Sequence, residues 1–127
     1  MSYYICYITK DRLMAARLNQ ALQDLGEQTI FVDRGDGEII SDPTERIMNA
    51  IKEADNFIIL YSRDMSSSML SHIEITYAKN KKKNIILINA DGSKVDDAIV
   101  FEIGKVNMLN KVSNMSHAAK QITKGVN

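Results

Sequence analysis

Short apolar runs alternate with helix-period segments along the whole chain. That alternation is the βαβ signature of a parallel sheet. The first run, Tyr3 to Ile8, is apolar at almost every position, which predicts a strand covered on both faces. Asp11 to Leu25 follows with helical spacing, and Leu18, Ala21, Leu22 and Leu25 form one buried stripe. Gly26 supplies the stop at C′. Gln28 to Val32 reads as a second strand, and Asp33 to Pro43, with Gly35 and Gly37, as a loop. Thr44 to Ala54 places Ile47, Ala50, Ile51 and Ala54 on one helical face. The run from Asn56 to Tyr61 predicts a central strand. A serine-rich loop, Ser62 to Ser68, leads to a third helix over Met69 to Lys81. Ile85 to Ile88 is the fourth strand, and a short helix near Asp96 is expected between Ala90 and Gly104. Val106 to Leu109 reads as an edge strand, and Met115, Ala119 and Ile122 share a face of a last helix.

Five strands with intervening helices predict an α/β fold: a doubly wound, five-stranded parallel sheet with helices on both faces. Right-handed crossovers restrict its order. The expected order is the flavodoxin-like 2-1-3-4-5, in one domain over residues 1–127. The switch point then falls between strands one and three, where open α/β sheets bind ligands outside the C-terminal strand ends. That predicts a site between Tyr7–Lys10 and Ser62–Glu74, with the loop after strand two, starting at Asp33, as a third wall.

Composition narrows the chemistry. Lys and Arg number 16, as do Asp and Glu, so no net field attracts nucleic acid or an acidic membrane. Cys6 is the only cysteine, which excludes a disulfide framework and fits a reducing compartment. No apolar run approaches the roughly 20 residues of a membrane span. The opening MSYYICYITKDR carries no secretion signal, so the expected location is the cytoplasm.

Several fold-mates fail on their motifs. TKDRLMAAR after the first strand lacks the glycines of a P-loop or a dinucleotide fingerprint. A phosphoacceptor receiver needs acidic residues ending strands one and three, and this chain has Ile8, Thr9 and Tyr61, Ser62 there. Cys6, His72 and His117 are too scattered for zinc, and no metal is expected. Cys6 reads as a small core residue in preference to a partner for His72. Lys79, Lys81, Lys82 and Lys83 read as a solvated helix C-terminus in preference to a phosphate patch.

Three segments carry a resemblance. In YICYITKD, Tyr4, Ile5, Tyr7 and Asp11 match a box-one pattern, while Cys6 and Ile8 stand where serines are usual. TIFVDRGD resembles a strand closed by an aspartate, Asp33, and followed by a glycine-containing loop. ADNFIILYSRDMSSSMLSHIEITYA places Ser62, Ser68, Glu74 and Ala78 at matching positions, with Leu70 in place of a tryptophan. In that order and spacing the chain resembles a TIR (Toll/interleukin-1 receptor-like) domain over residues 3–90.

The resemblance implies an activity. Many TIR domains cleave NAD at the nicotinamide–ribose bond, and Glu74 matches their catalytic glutamate. NAD is then the substrate, and no cofactor is implied. Nicotinamide is a cationic leaving group, so no strong general acid is needed, and a carboxylate stabilises the oxocarbenium-like ribose. Capture by water gives ADP-ribose, and capture by an internal hydroxyl gives a cyclic isomer. Tyr7, Thr9, Asp33, Ser62, Ser68, Leu70 and Ser71 are the candidate substrate contacts. Each has a plainer reading. Ser71, with Glu74 three residues on, spells a helix capping box. Asp33 fits a turn, the serines fit loop or cap positions, and Tyr7 fits strand filling. Leu70 packs where a tryptophan would stack.

The resemblance also implies partners. TIR enzymes commonly self-associate, here through the 33–43 loop and the helices. A separate effector sensing the product fits the anti-phage systems of the Thoeris kind. Two readings compete: a non-enzymatic TIR interaction module, and an N-glycosidic enzyme like the nucleoside deoxyribosyltransferases. The latter usually carry Gly-Thr before the glutamate, where this chain has Met69, Leu70 and Ser71.

Overall fold

Every position of strand β3 (Asn56–Tyr61) is buried, because it lies at the centre of a sheet covered on both faces. The computed structural model describes residues 1–31, 43–104, 107–110, 112 and 114–124. Among these, five strands form one sheet in the order β2-β1-β3-β4-β5, all pairs parallel. The others are β1 (Ser2–Cys6), β2 (Gln28–Ile30), β4 (Asn84–Asn89) and β5 (Asn107–Leu109). This is the expected flavodoxin-like topology, with its switch point between β1 and β3.

Side chains on a strand alternate between faces. Tyr4 and Cys6 of β1 therefore join Phe57, Ile59 and Tyr61 of β3 on one face. Helices α2 (Pro43–Glu53), α3 (Met69–Asn80) and α4 (Asp97–Ile103) cover that face with Ile47, Ile51, Ile75, Ala78, Ile99 and Ile103. Tyr3, Ile5 and Tyr7 point the other way, under α1 (Arg12–Asp24) and α5 (Met115–Thr123). Ala15, Leu18 and Leu22 of α1 and Met115, Ala118, Ala119 and Ile122 of α5 close that second core.

The boundaries differ from expectation where local hydrogen bonds intervene. β1 ends at Cys6, two residues early, because the Ile8 carbonyl accepts from Asp11 N at 2.8 Å and starts a 3-10 turn over Thr9–Asp11. α1 ends at Asp24 in a Schellman closure: Glu27 N donates to Leu22 O and Gly26 N to Gln23 O. Gly26 takes φ +83°, which glycine adopts without strain. Leu25 falls in that closing turn and is 43% exposed, so it is not in the buried stripe. The expected short helix near Asp96 is α4, with Asp96 as its N-cap. Val32, Val106 and the expected loop from Asp33 to residue 42 lie outside the described residues.

Candidate functional site

Helix α3 determines what Glu74 can be. Its N-cap is Ser68, extended at φ −90° and ψ 107°, and the Ser68 hydroxyl accepts from Ser71 N at 3.2 Å. Ser71 is therefore the third helical residue and not the cap. This corrects the capping-box reading of Ser71 with Glu74, because Glu74 lies in the second turn, beyond the reach of the free amides. Two serines three residues apart could cap this helix, and the chain uses the earlier one, which lies outside the S-x-x-E pattern.

The buried positions of α3 are Ser71, Glu74, Ile75 and Ala78, one stripe at i, i+3, i+4 and i+7. Two of the four are polar. Glu74 is 1% exposed, the only buried Asp, Glu, Lys, Arg or His among the described residues. From β1, Tyr4 Oη donates to Glu74 Oε2 at 2.7 Å. The Tyr4 ring is held by stacking on Phe57, its neighbour in register, with centroids 5.5 Å apart and planes at 13°. Ser71 is fully buried, and its hydroxyl has no hydrogen-bond partner among the described residues. One helical turn separates Ser71 from Glu74, so the two side chains are neighbours on the buried face.

The switch-point rim is built separately. Ser62, at the end of β3, donates its hydroxyl to Asp11 Oδ2 beyond the end of β1. Lys10 and Asp64 pair at 2.8 Å over the same gap, both exposed and so worth little to stability. After β4, Asp91 accepts from Arg63 N at 2.9 Å and from both the amide and the hydroxyl of Ser93. Burial pushes the Asp91 carboxyl up, but the bonds from Ser93 and Arg63 outweigh it and hold the group at about 2.

The expected contacts divide. Ser71 and Glu74 are brought together, with Ser68 at the head of their helix as its cap. Leu70 is half-buried against the Tyr4 core. Ser62 and exposed Thr9 sit at the rim. Tyr7 is on the opposite face from Glu74, fully buried with its ring stacked on Phe31 at 5.4 Å. Asp33 lies outside the described residues. His72 directs Nε2 to the Ser66 carbonyl at 2.9 Å, and Cys6 is fully buried. Lys79 and Lys83 donate to the carbonyls of Glu102 and Lys52, which ties α3 and its C-terminal turn to their neighbours.

Sequence reasoning missed Tyr4 and Asp11 as contributors. Tyr4 sits in an apolar run and reads as core. Strand parity places it with Cys6 and opposite Tyr7, but parity alone does not say which face Glu74 covers.

A family model described as TIR domain matches residues 4–122. No curated protein matches the sequence significantly. Among solved structures, the chain is similar to the CMP N-glycosidase BcmB of Clostridium botulinum, with 19% identity, TM-score 0.68 and 98% and 99% of the two chains covered. It is also similar to the TIR domains of the activated Roq1 resistosome that recognises the effector XopQ, with 17% identity, TM-score 0.67 and 99% of each chain covered. A 2-deoxyribosyltransferase of Bacillus psychrosaccharolyticus matches at 15% identity and TM-score 0.65, over 87% of each chain. At these identities the structures share the fold.

Proposed function

This chain belongs to the TIR domain family, and from that premise we propose that it cleaves the nicotinamide–ribose bond of NAD with Glu74 as the catalytic carboxylate. The observation that carries the reading is the burial of Glu74 away from any cap. A buried carboxylate is expensive, and an apolar residue of similar size would stabilise the helix face better. Such a residue, placed against stability, is the mark of a functional position.

The chemistry follows from charge. The bond between C1′ and the pyridinium nitrogen breaks, and its electron pair neutralises that nitrogen as nicotinamide leaves. Positive charge develops on the ribose, and the Glu74 carboxylate stabilises it. Water adds to C1′ and loses a proton to the carboxylate or to solvent, giving ADP-ribose. An internal nucleophile of the ADP-ribosyl group gives a cyclic isomer instead. Ser71 supplies a hydroxyl to a ribose oxygen beside the reacting carbon. On this reading the product is a signal, passed to a separate effector in anti-phage defence within the cytoplasm.

Self-association belongs to the same proposal. Met69 and Ile73 of α3 are 78% and 48% exposed, and Phe101 of α4 is 89% exposed. Met69 and Ile73 line a groove of about 370 Å³ with Met48, His72, Thr76 and Tyr77. Exposed apolar side chains favour contact with another copy.

One observation favours a second reading. The end-to-end likeness to a CMP N-glycosidase suggests a nucleotide N-glycosidic substrate. Cytosine, unlike nicotinamide, leaves as an anion unless it is protonated, so that reaction needs an acid beside the carboxylate. The test is incubation of concentrated protein with NAD, CMP and deoxynucleosides in parallel, with chromatography of the products. Release of nicotinamide supports the first reading. Release of cytosine alone replaces it with the second, and turnover of none of them leaves an interaction module.

A further inference from the structure

Tyr4 has no counterpart in the reaction as written, yet its hydroxyl makes the 2.7 Å bond to Glu74. We infer that Tyr4 is the positioning residue of the site, fixing the Glu74 carboxylate by a hydrogen bond delivered from the sheet. The inference rests on the catalytic reading of Glu74.

Three observations support it. First, the bond joins two different layers: Tyr4 is on β1 and Glu74 on α3, 70 positions apart. Helix packing alone would leave the long glutamate side chain several rotamers. A donor anchored in the sheet selects among them. Second, the donor is itself immobile. Tyr4 is fully buried, its backbone is paired with β2 and β3, and its ring is stacked on Phe57. Third, packing does not need the hydroxyl. Phenylalanine would fill the same space without desolvating a phenol, and Phe57 beside it does so. The hydroxyl bonds to Oε2, and a hydrogen bond to an ionised carboxylate favours the charged form that the oxocarbenium ion requires.

Tyr4→Phe isolates the effect, because it keeps the ring and deletes one oxygen. In this role Tyr4 acts through Glu74, so KM for NAD should hold while kcat falls about 10- to 100-fold, as expected when a reacting group loses its positioning partner. A merely structural tyrosine would lower the thermal midpoint and leave kcat of the folded protein unchanged. The second measurement needs no turnover. Tyr4→Phe, Glu74→Leu and the double variant form a stability cycle, and the two changes should be non-additive because each deletes one partner of the same bond. Turnover by the wild type with undiminished kcat in Tyr4→Phe overturns this inference alone. Additive effects on stability also overturn it. A wild type that cleaves no N-glycosidic substrate refutes the catalytic reading and this role with it, while the cycle still reports whether the bond exists.

Discussion

The hydroxyl of Ser68 and the amide of Ser71 are 3.2 Å apart, and this contact begins helix α3. It settles which serine caps the helix and leaves Glu74 on the buried stripe, in the second turn. The first two predictions follow from that placement.

Glu74→Gln should abolish nicotinamide release and preserve the fold. The amide keeps the size of the side chain and can still accept from Tyr4. It removes the negative charge facing the ribose, and such electrostatic groups are worth about 10²–10³-fold in rate. Circular dichroism and the urea midpoint should move little. Wild-type turnover in this variant would end the catalytic assignment.

Ser68→Ala and Ser71→Ala should separate in stability. Loss of the Ser68 cap should cost about 1 kcal/mol. Ser71→Ala removes a buried hydroxyl that has no partner among the described residues, so stability should hold or rise. In the NAD assay the order reverses, since Ser71 is the proposed ribose contact. Equal urea midpoints for the two variants would contradict the cap geometry.

The Asp91 carboxyl gives a pH signature. Its folded value of about 2 lies below the ordinary 3.8. A depressed acid contributes stability that is fully present above 3.8 and lost as pH falls toward 2. The thermal midpoint of Asp91→Asn, measured against wild type, should show a deficit above that window that shrinks within it. The group is almost wholly solvated, so the change should be small. A constant difference across the window would show that the contacts from Arg63 and Ser93 do not act on its charge.

Activity should depend on protein concentration, and Phe101→Ser should weaken that dependence. Removing the most exposed ring on α4 takes away apolar contact area without touching the core. Turnover per molecule across a dilution series, with light scattering at each concentration, checks this. Constant specific activity in the wild type would remove the need for assembly.

The sheet was legible because its signal is redundant. Asn56–Tyr61 is apolar on both parities, and Gly26 marks the end of α1, so strand identity and order follow from few residues. The site was less legible for a physical reason. Whether Glu74 caps the helix or lies on its buried face depends on which of two serines takes the extended N-cap conformation. Tyr4 escaped notice because a buried phenol and a buried phenyl give the same pattern. Tyr7 was placed at the site by its position at the strand end and its box-one match, and parity sends it to the other core. Leu25 kept helical spacing but fell in the Schellman turn.

The order of the strands also bears on how the molecule is made. β3 and β4 are joined through a 3-10 turn at Arg63–Ser67 and α3, and the Asn56–Asn84 side-chain bond between them closes 28 residues. β1 inserts beside β3 from farther off: Asp11 and Ser62 are 51 residues apart, and Tyr4 and Glu74 are 70. Loop-closure entropy and contact order favour the shorter pairing first. The β1–β2 pair (Ser2↔Gln28) and the β4–β5 pair (Ile86↔Asn107) close stretches as short as that of β3–β4, so the docking of β1 on β3, across the much longer stretch from Tyr3 to Asn56, is the closure expected last. Until that docking, a chain emerging from synthesis or unfolded by stress carries Glu74 without Tyr4. The Tyr4–Glu74 bond can therefore form only once β1 has taken its place beside β3.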